Sequence, residues 1–472
     1  MKSKRLLVLI LAACMLFAIM AACATDDQSS GGSGDSSSGG SGGSGDSSSG
    51  GGGSEPVELR VLNYFSLVNP GALEELERVW ETFENEHPNI KIVREDEFEE
   101  PFHHAVEAYA SAGTLPDVMY CWPSGRSTTL HTQRLLKDLG PLVARDGIAK
   151  DYSPIALDPA AQGGGYLAMI PRGLTATNAF YVNTEVLDAV GLTPAKTYSE
   201  LVAQVPVLRE AGYDTVLMAN EATWVMQSCL FSAVVGRFMG EGWDQRILSG
   251  ETDFNDPDFV AALNFIKTMY DDGVLNQSTL AVDYGSVAGL FASNTAAYLI
   301  DGDWKVGDFL TDNTTGVALI DPAKQGGIIM TVFPEIDVPG VKFNRSNSVV
   351  LATGWGINAD IPDGSDKLEA AWTLVKWLVG NETLTFLIET GGIATPSRVD
   401  IDFASMDLEP LQVTATKFGD EYDKATVVFD GAFEGPIYTP LNDGLQALGL
   451  GTQTPEQVAQ ITQDAFEAWK AQ

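Results

Sequence analysis

Short apolar runs alternate with amphipathic segments along most of the chain after residue 56. Residues 58–65, 90–93 and 116–122 are short and apolar and are bounded by polar or turn residues, which is typical of buried strands. Between them lie two predicted helices, 73–83 with apolar residues at helical spacing and 102–112, which ends before a glycine. This alternation of strand and helix predicts a parallel sheet with helices outside it.

The alternation continues to the carboxyl terminus. Thr197 and Glu200 have the spacing of a capping box, which marks a helix start. Trp372, Val375 and Leu378 are spaced for one helix face and are predicted to be core. Further strands are predicted at 166–171, 178–183, 216–220, 296–300 and 349–358, and further helices at 257–271, 284–293, 366–379 and from 454 onward.

The segment 291–304, FASNTAAYLIDGDW, combines a buried strand with an abrupt polar and aromatic end. In open α/β sheets, ligands lie beyond the carboxyl ends of the strands. Asp303 and Trp304 would lie there, where the carboxylate accepts hydroxyl protons and the ring covers the C–H face of a sugar. An equally simple interpretation places Trp304 in the core and gives Asp303 a helix-capping role. Trp122 also ends a predicted strand, and Glu221 and Trp224 follow another directly.

The length and charge of the chain narrow the possible functions. A chain of 472 residues is too long for one ordinary core, so two lobes or domains are expected. A formal charge of -36 argues against nucleic acid and anionic lipid as electrostatic partners, and it weighs against strongly anionic ligands. No CxxC, phosphate-loop or HExxH motif occurs, so no metal or cofactor is predicted. Cys121 and Cys229 are expected to be buried free thiols, although a disulfide between them is chemically allowed.

The first 54 residues predict export and tethering. Residues 1–23 carry early cations and then an apolar run, the pattern of a signal peptide. The sequence MAAC that ends at Cys23 resembles the bacterial lipobox, which implies lipidation of Cys23 and a membrane anchor. The earlier LAAC at 11–14 also resembles it but follows a shorter apolar run, and ordinary secretory cleavage is the remaining alternative. Residues 24–54 are mainly Gly, Ser and Asp, a flexible linker with an end-to-end distance of about 30 Å.

Four stretches carry a family resemblance: 112–122 (AGTLPDVMYCW), 166–192, 288–304 (AGLFASNTAAYLIDGDW) and 370–398. In this order, behind a lipobox and a linker, they resemble the extracellular solute-binding proteins of family 1. That family comprises the carbohydrate-binding subunits of bacterial ABC importers and includes the maltose-binding type. The resemblance implies an α/β fold of the periplasmic-binding-protein type II, with two discontinuous lobes joined by a multi-segment hinge.

The resemblance also implies where the lobes divide. Crossing segments are expected near 172–177, 345–351 and 398–406. The first lobe would then comprise residues 55–173 and 350–400, and the second lobe residues 174–349 and 401–472.

A ligand cleft between the lobes follows from the same resemblance, although Cys121 and Pro123 depart from the common pattern of the family. Each of the implied cleft residues has core packing as its alternative. They are Asn69, Trp122, Arg126, Glu221, Trp224, Asp303, Trp304, Trp355 and Tyr438.

The implied function is that of a monomeric, lipid-anchored receptor on the extracytoplasmic face of the membrane. It would capture a carbohydrate and deliver it to the permease of an ABC transporter, without catalysis. Several aromatic rings favour an oligosaccharide over a monosaccharide. Two other functions stay open: a secreted glycoside hydrolase that uses Asp303 and Glu221, and the same fold with a polyamine or an anion as ligand.

Overall fold

Two mixed sheets and a smaller linking sheet organise the chain in a computed structural model. The structure describes residues 55–67, 71–123, 125–313 and 315–471. The predictions for residues 1–54, including Cys23, and for Asn69 lie outside these described residues. No helix of the described ranges is long and apolar enough to cross a membrane.

The strands, numbered in chain order, are β1 Val57–Tyr64, β2 Ile90–Glu97, β3 Val118–Cys121, β4 Met169–Pro171, β5 Gly173–Ala176, β6 Ala179–Asn183, β7 Asp214–Leu217, β8 Ala296–Asp301, β9 Thr311–Asp312, β10 Val317–Ala318, β11 Ile328–Thr331, β12 Ser346–Leu351, β13 Gly354–Ile357, β14 Thr395–Pro396 and β15 Lys424–Thr426.

The α-helices are Ala72–Glu75, Thr82–Glu86, Glu100–Ala112, Thr128–Thr132, Gly140–Asp146, Thr184–Ala189, Tyr198–Glu210, Thr223–Met226, Ser232–Met239, Trp243–Leu248, Pro257–Asp271, Val287–Ala292, Val306–Phe309, Pro322–Gln325, Asp366–Leu378, Asn381–Glu389, Pro410–Ala415, Phe429–Ala432, Gly435–Leu450 and Pro455–Lys470. Two π-helical sections, Leu76–Glu81 and Gln227–Phe231, continue helices. Short 3₁₀ turns are Gly125–Ser127, Ile148–Asp151, Pro154–Leu157, Pro159–Ala161, Gln277–Ala281, Asp303–Lys305, Phe403–Ser405 and Phe418–Glu421.

The first sheet has the order β2-β1-β3-β13-β4, and the second has the order β11-β6-β8-β7. In the first, β13 is antiparallel to both neighbours, whereas β1 is parallel to β2 and β3. In the second, β6 is antiparallel to both neighbours, and β7 is parallel to β8. The parallel arrangement predicted from the first three strands is observed for β1, β2 and β3, but each of the two sheets also contains a reversed strand. In each of these sheets the reversed strand follows directly from the linking sheet, because the chain re-enters at the opposite end.

The linking sheet has the order β14-β5-β12-β15. Strand β5 is antiparallel to β12 and β14, and β12 is parallel to β15. It contains residues of two expected crossing segments, 172–177 and 345–351, and its other two strands are β14 and β15. In sequence, β5 leads from β4 to β6, and β12 leads to β13.

Three hydrophobic clusters form the core of one compact unit. One joins residues 59–170 with 355–401 around the first sheet. The other two, 180–336 with 429–466 and 176–330 with 394–418, cover the two faces of the second sheet. Since the last cluster also takes in residues of the linking sheet, the lobe limits stay a prediction.

Candidate functional site

The carboxyl ends of β1, β3 and β4 meet at one edge of the first sheet because these strands are parallel. Reversed strand β13 begins at the same edge. This first edge therefore gathers the residues that follow β1, β3 and β4 and those that precede β13. The second edge, at the carboxyl ends of β7 and β8, gathers the residues after each of these strands in the same way. Ligands of α/β sheets bind at such edges.

The half-buried ring of Trp122 belongs to an aromatic group on the first edge. Its centroid lies 4.6 Å from His103, 5.1 Å from Tyr64, 5.3 Å from Tyr120 and 5.5 Å from Phe102. Burial lowers the pKa of His103 to about 3, so its imidazole is neutral at pH 7. The group is an uncharged aromatic surface of the kind that packs on apolar faces of ligands.

The local path around Trp122 follows from two backbone hydrogen bonds. Its N–H donates to Ser127 Oγ (3.2 Å), and the carbonyl of Pro123 accepts the N–H of Gly163 (3.0 Å). Cys121 and Cys229 are free and buried, as the sequence favoured. Burial raises the pKa of the Cys121 thiol to about 12, so the thiol is protonated.

Three half-buried rings form an aromatic group on the second edge. The Trp304 Nε1–H donates to the Tyr284 hydroxyl (2.7 Å), and the ring of Trp224 lies 5.0 Å from Tyr284 and 6.2 Å from Trp304. A Cβ on Gly302 would lie 2.3 Å from the Trp304 ring, so only glycine allows the ring to lie back over this turn. Glu221, after β7, is exposed, and its backbone N–H donates to the carbonyl of Val282, two residues before Tyr284 (3.3 Å).

Two predicted ligand contacts are corrected by the structure. Asp303 is only 6% exposed, and its Oδ2 accepts the backbone N–H of Ala176 in β5 (2.9 Å). Its carboxylate thus holds the end of β8 to the linking sheet, and burial raises its pKa to about 7. Trp355 is 4% exposed and packs in the core between Trp80 (5.8 Å) and Tyr120 (5.3 Å).

The side chain of Arg126 connects residues near the first edge with residues near the second edge. Its Nε donates to Asp430 (3.0 Å), and these side chains are only 10% and 11% exposed. Its Nη1 reaches Glu100 (3.2 Å), and its guanidinium lies 5.5 Å over the ring of half-buried Tyr438. A Cβ on Gly125 would lie 1.6 Å from the Asp430 carbonyl, so the two segments approach closely. The predicted ligand donor Arg126 is therefore engaged in a bridge.

Glu99, just before helix Glu100–Ala112, has a strained backbone with φ 55° and ψ −140°. Burial, together with the negative charges of Asp283 and Glu100, raises the pKa of its carboxyl, and Lys305 opposes the shift. Asp283 and Lys305 belong to the second-edge region, so the charges of the two edges act on each other.

Sequence reasoning missed Tyr64, His103 and Tyr284. Tyr64 and His103 lie in a predicted strand and a predicted helix, so their place at the first edge could have been found from the topology. Tyr284 lies at the predicted start of a helix, and nothing in its spacing indicates the bond to Trp304.

A family model for bacterial extracellular solute-binding proteins matches residues 70–384. The chain belongs to this family. As a member, this solute-binding protein has the two-lobe α/β fold of type II.

Solved structures share this fold. A protein from Caldanaerobius polysaccharolyticus, from a study of xylan utilization, is 18% identical, with 86% of this chain and 99% of that chain covered and a TM-score of 0.76. A chitin oligosaccharide binding protein is 17% identical (88% and 100% covered, TM-score 0.76). The maltose/maltodextrin-binding domain MalE of Bdellovibrio bacteriovorus, bound to maltotriose, is 19% identical (88% and 100% covered, TM-score 0.65). The comparison with curated proteins gave no match.

Proposed function

We propose that this solute-binding protein captures an oligosaccharide between its lobes and delivers it to an ABC permease. The observation that carries the proposal is the pair of aromatic groups at the two edges, around Trp122 and around Trp304. Aromatic faces cover the C–H faces of sugar rings, and Glu221 offers oxygens to hydroxyl groups. The xylan, chitin oligosaccharide and maltotriose named for the structural relatives support the same ligand class.

Capture works through closure of the lobes about the linking sheet. Sugar held on one edge gains contacts with the other edge, which shifts the population toward the closed form. The permease then distinguishes the closed form from the open one. A lipid on Cys23 and the linker 24–54 would keep the monomeric receptor at the extracytoplasmic face of the membrane.

Binding without cleavage is part of the proposal. A glycosidase needs two carboxylates on opposite sides of one bond. Of the two nominated from sequence, Glu221 is exposed, but Asp303 is bonded to Ala176 in the interior. Because only one of the two nominated carboxylates is exposed, the arrangement favours a receptor over a hydrolase.

A thermal-shift and tryptophan fluorescence screen of the full chain tests the proposal. The ligands are xylotriose, maltotriose, chitotriose, a polyamine and phosphate. Since a ligand that binds only the folded state raises its stability, one neutral oligosaccharide should raise the melting temperature and be recovered intact. A cleaved sugar would favour the hydrolase, and a shift with polyamine or phosphate alone would overturn the carbohydrate assignment.

A further inference from the structure

A charged group on the first edge lies beside the aromatic group of Trp122. Arg172 directly follows β4, Thr353 directly precedes β13, and Glu75 ends the helix Ala72–Glu75 that follows β1. Glu75, Arg172 and Thr353 are all partly exposed, so solvent reaches the group. Tyr120 connects it with Trp122, since its ring lies 5.3 Å from Trp122.

The guanidinium of Arg172 is held in one orientation. Its Nη2 donates to Thr353 Oγ1 (2.9 Å) and to the hydroxyl of Tyr120, and the group lies 4.9 Å over the Tyr120 ring. Two hydroxyl acceptors at one nitrogen, together with contact to a ring face, fix a planar guanidinium well. Arg172 is therefore organised before any ligand arrives.

One donor of this guanidinium is unused. Arg172 Nε is buried and has no hydrogen-bond acceptor among the described residues. Most buried polar groups are hydrogen-bonded, and an unsatisfied one is costly. The unused N–H marks a position for an acceptor from outside the chain.

The carboxylate of Glu75 is a complementary acceptor without a close cation. Its hydrogen bond in the described part of the chain is a long one from Trp80 Nε1 (3.5 Å). Burial raises its pKa, with a smaller contribution from the charge of Asp96, and the charges of Arg172 and Arg94 act against that rise, so Glu75 and Arg172 are near enough to interact. Their hydrogen bonds nevertheless go elsewhere, those of Arg172 to Tyr120 and Thr353 and that of Glu75 to Trp80. A small polar group of a ligand fits this arrangement.

We infer that Glu75 and Arg172 form a specificity-determining subsite that takes a neutral sugar unit through its hydroxyl groups and disfavours a uronic acid. One hydroxyl accepts from Arg172 Nε, and the same or a neighbouring hydroxyl donates to Glu75. A uronate carboxylate would satisfy Arg172 but would be repelled by Glu75, to which it has no proton to give. This inference rests on the proposed function and adds the substrate class to it.

The test uses the full chain with Glu75→Gln, Arg172→Gln and the milder Arg172→Lys. Glu369→Gln is the matched control, because Glu369 pairs with Arg145 on the exposed side of the same lobe. Affinity is measured by calorimetry for xylotriose, maltotriose and chitotriose, and for a xylo-oligosaccharide that carries glucuronic acid. Thermal melts without sugar show that each variant is folded.

For the neutral sugar that binds the wild type, Glu75→Gln and Arg172→Gln should each weaken binding about tenfold or more, as expected for hydrogen bonds to charged groups. Arg172→Lys should give a smaller loss, and Glu369→Gln should give none. Glu75→Gln should also shift the preference toward the uronic-acid sugar, which a merely structural role of Glu75 would not do.

Two results would overturn the inference in different ways. If the wild type binds a neutral sugar and the folded Glu75 and Arg172 variants bind it equally well, the subsite is wrong and the carbohydrate receptor stands. If the wild type binds none of the sugars, the proposed function fails and the subsite fails with it.

Discussion

The two edges differ in how their buried or half-buried cations are paired. On the second edge, Trp304 donates to Tyr284, and Lys305 is neutralised by Asp308 (2.9 Å) and Asp301 (3.6 Å). On the first edge, Arg172 keeps an unused donor and Glu75 lacks a close cation. A mainly aromatic surface accepts many sugars, whereas charged groups that are not paired with each other select among them. We therefore assign general affinity to the second edge and discrimination to the first.

The largest expected effect comes from breaking the Arg126–Asp430 ion pair, which connects residues near the first edge with residues near the second edge. Asp430→Ala leaves the guanidinium of Arg126 buried with Glu100 as its remaining partner, so the free energy of unfolding should fall by about 3–5 kcal/mol. Urea unfolding measures this loss. Glu58→Ala breaks the exposed pair with Lys91 and should cost under about 1 kcal/mol. Equal losses in both variants would show that the bridge has no special role.

Asp303, whose hydrogen bond with Ala176 joins the second edge to the linking sheet, should make the stability of the fold depend on pH. The pKa of Asp303 is about 7 in the fold against 3.8 as its ordinary value, so the folded state binds more protons between these values. Stability from this group is full below pH 4 and is lost as the pH rises toward 7, by up to about 4 kcal/mol.

Asp303→Asn keeps an acceptor for the Ala176 N–H and removes the titration. Thermal melts from pH 4 to 8 should show a flatter stability profile in this variant than in the wild type. Parallel profiles would mean that Asp303 titrates normally in the fold.

The affinity assigned to the second edge is tested by Trp304→Ala. Loss of a central aromatic contact typically costs about 2 kcal/mol or more, so the affinity for the bound oligosaccharide should fall about thirtyfold. Trp469→Ala is the control, because Trp469 stacks on Phe466 in the last helix (5.9 Å), away from both edges. Fluorescence titration measures both variants. Unchanged binding in Trp304→Ala would remove the second edge from the site.

Local structure was predictable where periodicity determines it. The helix predicted at 366–379 is observed at Asp366–Leu378, and its predicted core residues Trp372, Val375 and Leu378 are buried. At the predicted capping box, Thr197 Oγ1 accepts the Glu200 N–H (3.2 Å), although the Glu200 carboxylate reaches the N–H of Lys196 (2.8 Å) instead of that of Thr197.

The sequence predicted which strand ends carry the candidate site. It did not predict the direction in which each side chain points. Adjacent residues after β8 diverge, so Trp304 lies on the rim while Asp303 turns inward to Ala176. The reversed direction of β6 and β13 depends on how the chain returns from the linking sheet. No local sequence pattern encodes that return. The Arg126–Asp430 pair joins residues 304 positions apart, and sequence offers no signal for it.

The most direct test is a crystal structure of the protein with the neutral oligosaccharide that gives the largest thermal shift. We expect sugar rings between the aromatic groups of Trp122 and Trp304, with hydroxyl groups at Glu75 and Arg172. Sugar bound on an outer face, with no contact to either edge, would contradict it.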